Sequence, residues 1–256
     1  MTIRTVFLTG ASSGIGRATA ERLYKEGWCL GLAGQQLEDL KTVTAGWDQH
    51  RIHCYQVDVA KSDQVKAAID DFASQSDSKL DLLINNAGIL TISPFEELDI
   101  SEHQRTINVN VMGVINGCYA AFPYLKASIH GQVINVSSAS SLYGIPEFAS
   151  YSASKFAVKG LTEALDLEWQ AHGIKVCDVV PPFVATNMLA SQKKSSKIMN
   201  ALGVNLTADD VADVIFKQIN SPTTHRPVSA KFSALYYVSA ITPSSLLRQF
   251  IRYSSR

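Results

Sequence analysis

Strand-like and helix-like segments alternate along this chain, and that alternation limits the fold more than any other feature of the sequence. Arg4 to Thr9, Trp28 to Ala33, Arg51 to Val57, Leu80 to Ile84, Gln132 to Ser137 and Lys175 to Val180 are short strand-like runs, and Gln132 to Ser137 in particular is apolar and β-branched. Buried strands have that pattern. Between them lie segments of helical spacing: the run after Gly16, Leu37 onward, Ser62 to Ser74 with Ser62 as N-cap, Ser101 to Lys126 interrupted at Gly113 and Gly117, and a run from Tyr151. A strand apolar throughout needs cover on both faces, and intervening helices supply it. The expected fold class is α/β, a parallel sheet between two helical layers (α/β/α). A chain of 256 residues suits a single such domain, residues 1–256, and no repeat, low-complexity tract or linker divides it.

Composition narrows the function classes. With 46% hydrophobic residues, 18% charged residues and a formal net charge of zero, nothing global calls for nucleic acid. No charged-then-apolar leader precedes the first strand, and no apolar run reaches the ~18 residues of a spanning helix. A cytoplasmic protein is expected. Cys29, Cys54, Cys118 and Cys177 are far apart in the sequence, which suits free thiols. His50 and His53 are the one close histidine pair and have no further ligand nearby, so no metal is expected.

The first strand runs straight into G-A-S-S-G-I-G, with Gly10, Gly14 and Gly16 ahead of a helix that Gly27 ends. A glycine-rich turn from strand to helix brings backbone close to a ligand and aims helix-end N–H groups at it, which favours phosphate. The spacing G-x3-G-x-G differs from the general G-x-G-x-x-G fingerprint. Taken alone it also fits a tight packing turn; its place at the first strand-to-helix junction favours the nucleotide reading.

A second candidate site lies between Gln132 and Lys155. Ser138 falls where a strand runs out, and Tyr151 and Lys155 are one helical turn apart, so ammonium and phenol face the same way. A cation ~4 Å from a phenol at an effective dielectric of ~20 contributes ~4 kcal/mol, enough to draw a pKa of ~10 toward the range of general acid-base work. An ordinary surface pair has the same spacing, so the reading depends on what accompanies it. Asn110 sits in an otherwise apolar helical stretch, and its bland role is to satisfy a backbone group.

Together these residues resemble the classical short-chain dehydrogenase/reductase family over nearly the whole chain. T-G-A-S-S-G-I-G at Thr9 to Gly16 is similar to its cofactor turn, V-D-V at Val57 to Val59 to its adenine-side contact, and N-N-A-G at Asn85 to Gly88 to its fourth-strand motif. Asn110, Ser138, Tyr151 and Lys155 fall where the family keeps its catalytic Asn, Ser, Tyr and Lys. The resemblance implies a Rossmann-type doubly wound sheet binding NAD(H) or NADP(H). Residues 1–100 would form mainly the cofactor half, 101–256 the catalytic and substrate half, and 183–206 a substrate lid. It implies Tyr151 as acid/base, Lys155 lowering its pKa and holding the nicotinamide ribose, Ser138 orienting the substrate oxygen, and Asn110 supporting Lys155 and an ordered water. The cofactor contacts it implies are Gly10, Ser12, Ser13, Gly14, Ile15, Gly16, Gln35, Asp58, Val59, Asn86, Ala87, Gly88, Tyr151, Lys155, Pro181, Val184 and Thr186.

Three stretches depart from the family. Pro182 stands where it usually has Gly after the sixth strand, which fixes φ in the nicotinamide-side loop. After the second strand the sequence is L-A-G-Q-Q-L, with neither the acid that marks NAD nor the base that marks NADP. Gly34 removes a carboxylate that would repel a phosphate, and Gln35 can donate to either cofactor, so NADP(H) is expected over NAD(H). The C-terminus lacks the usual glycine-rich strand and looks more like members acting on steroid- and retinoid-like compounds. After Asp213 it has no acid, but carries Lys217, Arg226, Lys231, Arg248, Arg252 and Arg256 beside Leu246, Leu247, Phe250 and Ile251, with Pro243 dividing it. Such a basic amphipathic segment suits weak contact with a membrane surface, or packing on the body or a second subunit.

Phe183, Met188, Leu189, Ile198 and Met199 would wall the substrate lid, with Lys193, Lys194 and Lys197 outside. The expected function is an oxidoreductase interconverting a carbonyl and an alcohol on an apolar, lipid-, steroid- or retinoid-like small molecule. Reduction of a 3-oxoacyl thioester and non-catalytic nucleotide binding are the alternatives. Family habit implies a homodimer or homotetramer.

Overall fold

Burial along the strands explains the layered architecture. The computed structural model describes residues 3–192 and 196–254. Every residue of β1 (Thr5–Thr9), β4 (Leu82–Asn85) and β5 (Gln132–Val136) is buried. β2 (Cys29–Gly34) and β6 (Lys175–Val180) are buried after their first residue, and β3 (Ile52–Gln56) and β7 (His225–Pro227) form the edges. The order is β3-β2-β1-β4-β5-β6-β7 with all neighbours parallel. The chain builds outward from β1 in one direction and then, from β4, in the other. That reversal opens a crevice beyond the strand ends, where doubly wound sheets bind ligands.

The helices are α1 (Gly14–Lys25), α2 (Leu37–Val43), α3 (Ser62–Ser74), α4 (Ile100–Ile107), α5 (Gly113–Ala127), α6 (Ala149–Glu168), α7 (Asn187–Ala190), α8 (Lys197–Leu202), α9 (Ala208–Asn220), α10 (Ala230–Ile241) and α11 (Ser244–Ser254). Strand side chains alternate between the layers. Val6 and Leu8 face one side with Leu32 and Val179, packed by Leu23 of α1 and Val211 and Ile215 of α9. Phe7 faces the other with Leu83 and Val133, packed by Phe72 of α3, Leu125 of α5 and Val158 of α6. Truncating a fully buried ring such as Phe72 would cost about 3–5 kcal/mol.

Local structure corrects several expectations. Lys61, not Ser62, is the N-cap of α3, and Ser62 is its first helical residue. The fourth strand begins at Leu82 rather than Leu80. The stretch from Ser101 is interrupted by a π turn at Asn108–Met112, not at its glycines. Gly117 lies inside α5 because a Cβ there would collide with the Asn85 side chain. β7 was not expected: it has three residues, two of them the polar His225 and Arg226, and pairs with β6 as an edge. Pro243 does divide the C-terminal segment, between α10 and α11. Arg256 lies outside the described residues. No helix among the described residues is long and apolar enough to cross a membrane.

Candidate active site

At the carboxyl ends of the strands lies a cleft of about 350 Å³, floored by the β1–α1 turn and closed on one side by the segment after β6. The floor is backbone laid on backbone. Gly10 has φ +66°, and a Cβ on Gly16 would overlap the Gly10 carbonyl oxygen. Thr9 Oγ1 accepts from the N–H groups of Asn86 and Ala87, each at 3.1 Å, and Asn86 Nδ2 donates to the carbonyls of Thr9 (2.9 Å) and Gly10 (3.0 Å). The two motifs are thus stitched into one surface. At the start of α1, Ser13 is extended and makes no side-chain cap bond, and the first turn holds no acid. An anion suits those helix-end N–H groups.

The first loop beyond β2 places Gln35 and Gln36 exposed at the lip, with the exposed Asp39 of α2 also on the wall. Arg17 is paired with Glu21 at 2.8 Å. Asp39 escaped the sequence reading because it lies past the stretch where an acid was sought; only the start of α2 turns it toward the cleft. Of the expected cofactor contacts, Gly16 and Asp58 do not line the wall. Gly16 is buried behind it, and the Asp58 carboxylate accepts from Ala60 N at 3.0 Å. The others named above all reach it.

Ser138, Tyr151 and Lys155 converge on this cleft. Ser138 begins a short turn after β5, its Oγ accepting from Ser140 N at 3.2 Å. Burial pushes the Tyr151 phenol above its ordinary value, and a hydrogen bond with Ser138 pulls the other way. Lys155 is 5% exposed, its Nζ donates to Val136 O at 2.8 Å, and it stands 5.6 Å from the Tyr151 ring centroid. Burial draws its pKa down to about 8, with Asp178 acting against that. The expected lowering of the phenol by Lys155 is therefore not what this geometry gives: the ammonium turns to a carbonyl and desolvation dominates.

Asn110 sits in the π turn, behind the cleft wall. Its Oδ1 accepts from Ile89 N (2.8 Å), and its Nδ2 donates to Ile89 O (2.9 Å) and Ser154 Oγ (3.1 Å). It fastens the loop after β4 to α6, the backbone-satisfying role that the residues alone suggested. Any support of Lys155 is indirect.

The far end of the cleft is apolar, with Leu90, Phe148, Phe183, Met188 and Leu189 on its wall. Ile198, Met199 and Ile251 of α11 pack behind them. Gln192, which sequence reasoning missed, ties this segment down: its Nε2 donates to Leu90 O at 2.9 Å and its Oε1 accepts from Ile92 N at 3.1 Å. Lys197 is exposed as expected, while Lys193 and Lys194 lie outside the described residues. Pro182 lines the cleft. Asp39 and Lys155 are the charged side chains on the described wall.

Comparison with known proteins gives consistent results. The family model described as short chain dehydrogenase matches residues 4–197. A 3-ketodihydrosphingosine reductase of Bacteroides thetaiotaomicron is 37% identical over 177 residues, 69% of this chain and 62% of the relative. One from Mus musculus is 31% identical over 221 residues, 84% of this chain and 66% of the relative. The matched region thus spans just under two thirds of either relative. Among solved structures, a short chain dehydrogenase/reductase of Burkholderia phymatum in complex with NAD superimposes with TM-score 0.83 at 25% identity, covering 96% of this chain and 95% of that one.

Proposed function

The chain belongs to the short-chain dehydrogenase family, and from that premise we propose that it is an NAD(P)-dependent oxidoreductase interconverting a carbonyl and an alcohol on an apolar, lipid-like substrate. The observation that carries this reading is the convergence of Ser138, Tyr151 and Lys155 on one cleft whose floor is the glycine turn. The floor fits a dinucleotide: the uncapped, acid-free start of α1 suits its phosphates. Ser137, on the wall, has a buried hydroxyl without a hydrogen-bond partner.

A nicotinamide bound here would supply or accept hydride. The chain's own groups handle the rest. Gly10, Ser12, Ser13, Gly14 and Ile15 would hold the phosphate side, Val59, Asn86, Ala87 and Gly88 the adenosine side, and Pro181, Val184 and Thr186 the nicotinamide side, all of them on the cleft wall. Ser138 donates to the substrate oxygen, and Tyr151 moves a proton at that oxygen. Because burial keeps the phenol protonated at neutral pH, Tyr151 is set to donate, which suits reduction of a carbonyl. Lys155, its ammonium anchored on the Val136 carbonyl, would hold the ribose. Asn110 positions the Ile89 loop against which both work.

The apolar far wall and the name 3-ketodihydrosphingosine reductase on two relatives support a keto lipid as substrate. We place residues 183–206 as the lid over it. NADP(H) is the favoured cofactor, because Gly34 leaves no carboxylate at the strand end and Gln35 stands at the lip to donate to a phosphate. Exposed Tyr119 of α5 and Phe156 and Leu167 of α6 suit a homodimer or homotetramer interface, read by sedimentation. Exposed Tyr237, Val238, Ile241, Leu246 and Phe250, in a segment free of acids, support peripheral contact with an anionic membrane. Vesicle binding that persists after removal of residues beyond Thr242 would contradict that contact.

Tyr151→Phe tests the mechanism. Turnover of NADPH with a long-chain ketone should fall by about 10²–10⁴-fold, with cofactor binding and thermal midpoint retained. A variant that kept most of its turnover would end the role given to Tyr151.

A further inference from the structure

Asp178, fully buried on β6, takes no part in the steps above. Its Oδ2 lies 3.0 Å from His225 Nδ1 of β7, and its Oδ1 has no hydrogen-bond partner. The other imidazole nitrogen, Nε2, lies 3.0 Å from Glu163 Oε1 of α6. A carboxyl group at each nitrogen favours the doubly protonated imidazole; burial works against that form, but Asp178 and Glu163 together raise the His225 pKa above its ordinary value.

Register locates this network relative to the cleft. Asp178 pairs with Asn135 of β5, whose side chain donates to Thr162 of α6 at 2.9 Å, so this face of the sheet lies under α6. The next residue of β5, Val136, accepts the Lys155 hydrogen bond. Along α6, Tyr151, Lys155, Lys159 and Glu163 recur every four residues and share a face. The carboxylate therefore lies one strand away from the carbonyl that anchors Lys155.

Stability alone does not explain such a group. A buried ion pair with one oxygen unsatisfied is commonly no more stable than an apolar replacement. Burial raises the pKa of Asp178, His225 from β7 and Lys159 from α6 lower it, and Glu163 from α6 raises it; Tyr236 from α10 also meets its charge, whereas Cys177, the preceding strand residue, turns to the opposite face. Lys159 is itself 3.9 Å from Glu163, and Thr224, beside His225, donates to Asp166 at 2.9 Å. Those facing Lys155 are Tyr151 and, more distantly, Asp178.

We propose that Asp178, held by His225 and Glu163, is a positioning residue of the active site: a buried counter-charge that keeps Lys155 protonated, its strength set by His225. The proposal rests on the reading of Lys155 as an active-site cation, but its test does not need turnover. Protein labelled with [13Cε]-lysine, with the Lys155 resonance assigned through Lys155→Arg, gives the titration of that ammonium directly. In Asp178→Asn the midpoint should move down by about half to one pH unit, because the opposing charge is gone. In His225→Gln it should move up by a similar amount, because Asp178 then lacks its neutralising cation. Opposite shifts are the signature, since a merely structural network would move neither or both alike. The pH at which turnover declines on the alkaline side should follow the same order.

If Asp178→Asn fails to fold, His225→Gln alone still decides. An unchanged or lowered Lys155 midpoint in that variant overturns the proposal. Opposite shifts in a protein that turns over no carbonyl would leave the electrostatic coupling standing and remove the enzymatic reading instead.

Discussion

The two ends of the cleft are built from different parts of the chain's chemistry. At the glycine turn the surface is main chain: Gly10 at positive φ, Gly16 packed on the Gly10 carbonyl, and Asn86 bonded to two carbonyls below it. At the apolar end the surface is side chain: Phe183 after β6 and Met188 and Leu189 of the four-residue α7 against Leu90 and Phe148, with Gln192 tying the segment to Leu90. A backbone surface has one solution, because any Cβ in the wrong place collides. A side-chain surface has many, because apolar groups of similar volume substitute for one another with small losses. The glycine-turn end therefore tolerates few residue types, while the apolar end is free to vary, which is how one fold serves many substrates.

The largest effect should come from breaking the rigid end. Gly16→Val places a branched side chain on the Gly10 carbonyl; overpacking of this kind costs about 1–3 kcal/mol of stability, and NADPH binding by fluorescence should weaken at least about 100-fold as the turn opens. Near-normal binding would mean that the turn tolerates side chains after all, and the contrast between the ends would collapse.

A smaller effect, on the other end only, is expected from Gln192→Ala. Losing its bonds to Leu90 and Ile92 removes about 1–2 kcal/mol of anchoring from the segment after β6, so KM for a long-chain ketone should rise about ten-fold while the cofactor Kd stays constant. A change in cofactor Kd of the same size would show the two ends to be coupled.

The smallest concerns the lip. Asp39→Asn removes an exposed carboxylate from the wall, and NADPH should bind about three-fold more tightly with NADH unchanged, since a screened surface charge acts weakly. Equal gains for both cofactors would place Asp39 away from the ribose phosphate.

The same contrast explains what the sequence disclosed. Glycine spacing after a strand and the four-residue interval from Tyr151 to Lys155 are local patterns with local physical causes; Gly10, Gly14, Tyr151 and Lys155 all line the cleft, with Gly16 behind its wall. Gln192, Asp39 and the Asp178–His225–Glu163 network gain their meaning from partners far along the chain: His225 meets Glu163 from 62 residues away, and Gln192 meets Leu90 from 102. No periodicity announces such a contact. β7 was hidden for a related reason, since its three residues take strand geometry only from the edge of β6. The pKa of Tyr151 shows the limit in another form: spacing gave the neighbour, but burial and the turn of Lys155 toward Val136 decided the sign.

The central claim is that this cleft transfers hydride to a lipid ketone with Tyr151 supplying the proton. The most direct measurement is incubation of the protein with nicotinamide-4-deuterated NADPH and a long-chain 3-keto amine, followed by mass spectrometry of the lipid. One deuterium on the carbinol carbon of the alcohol, absent with Tyr151→Phe, is the predicted result. Recovery of unlabelled ketone alone, from a protein that binds the nucleotide, would contradict the claim.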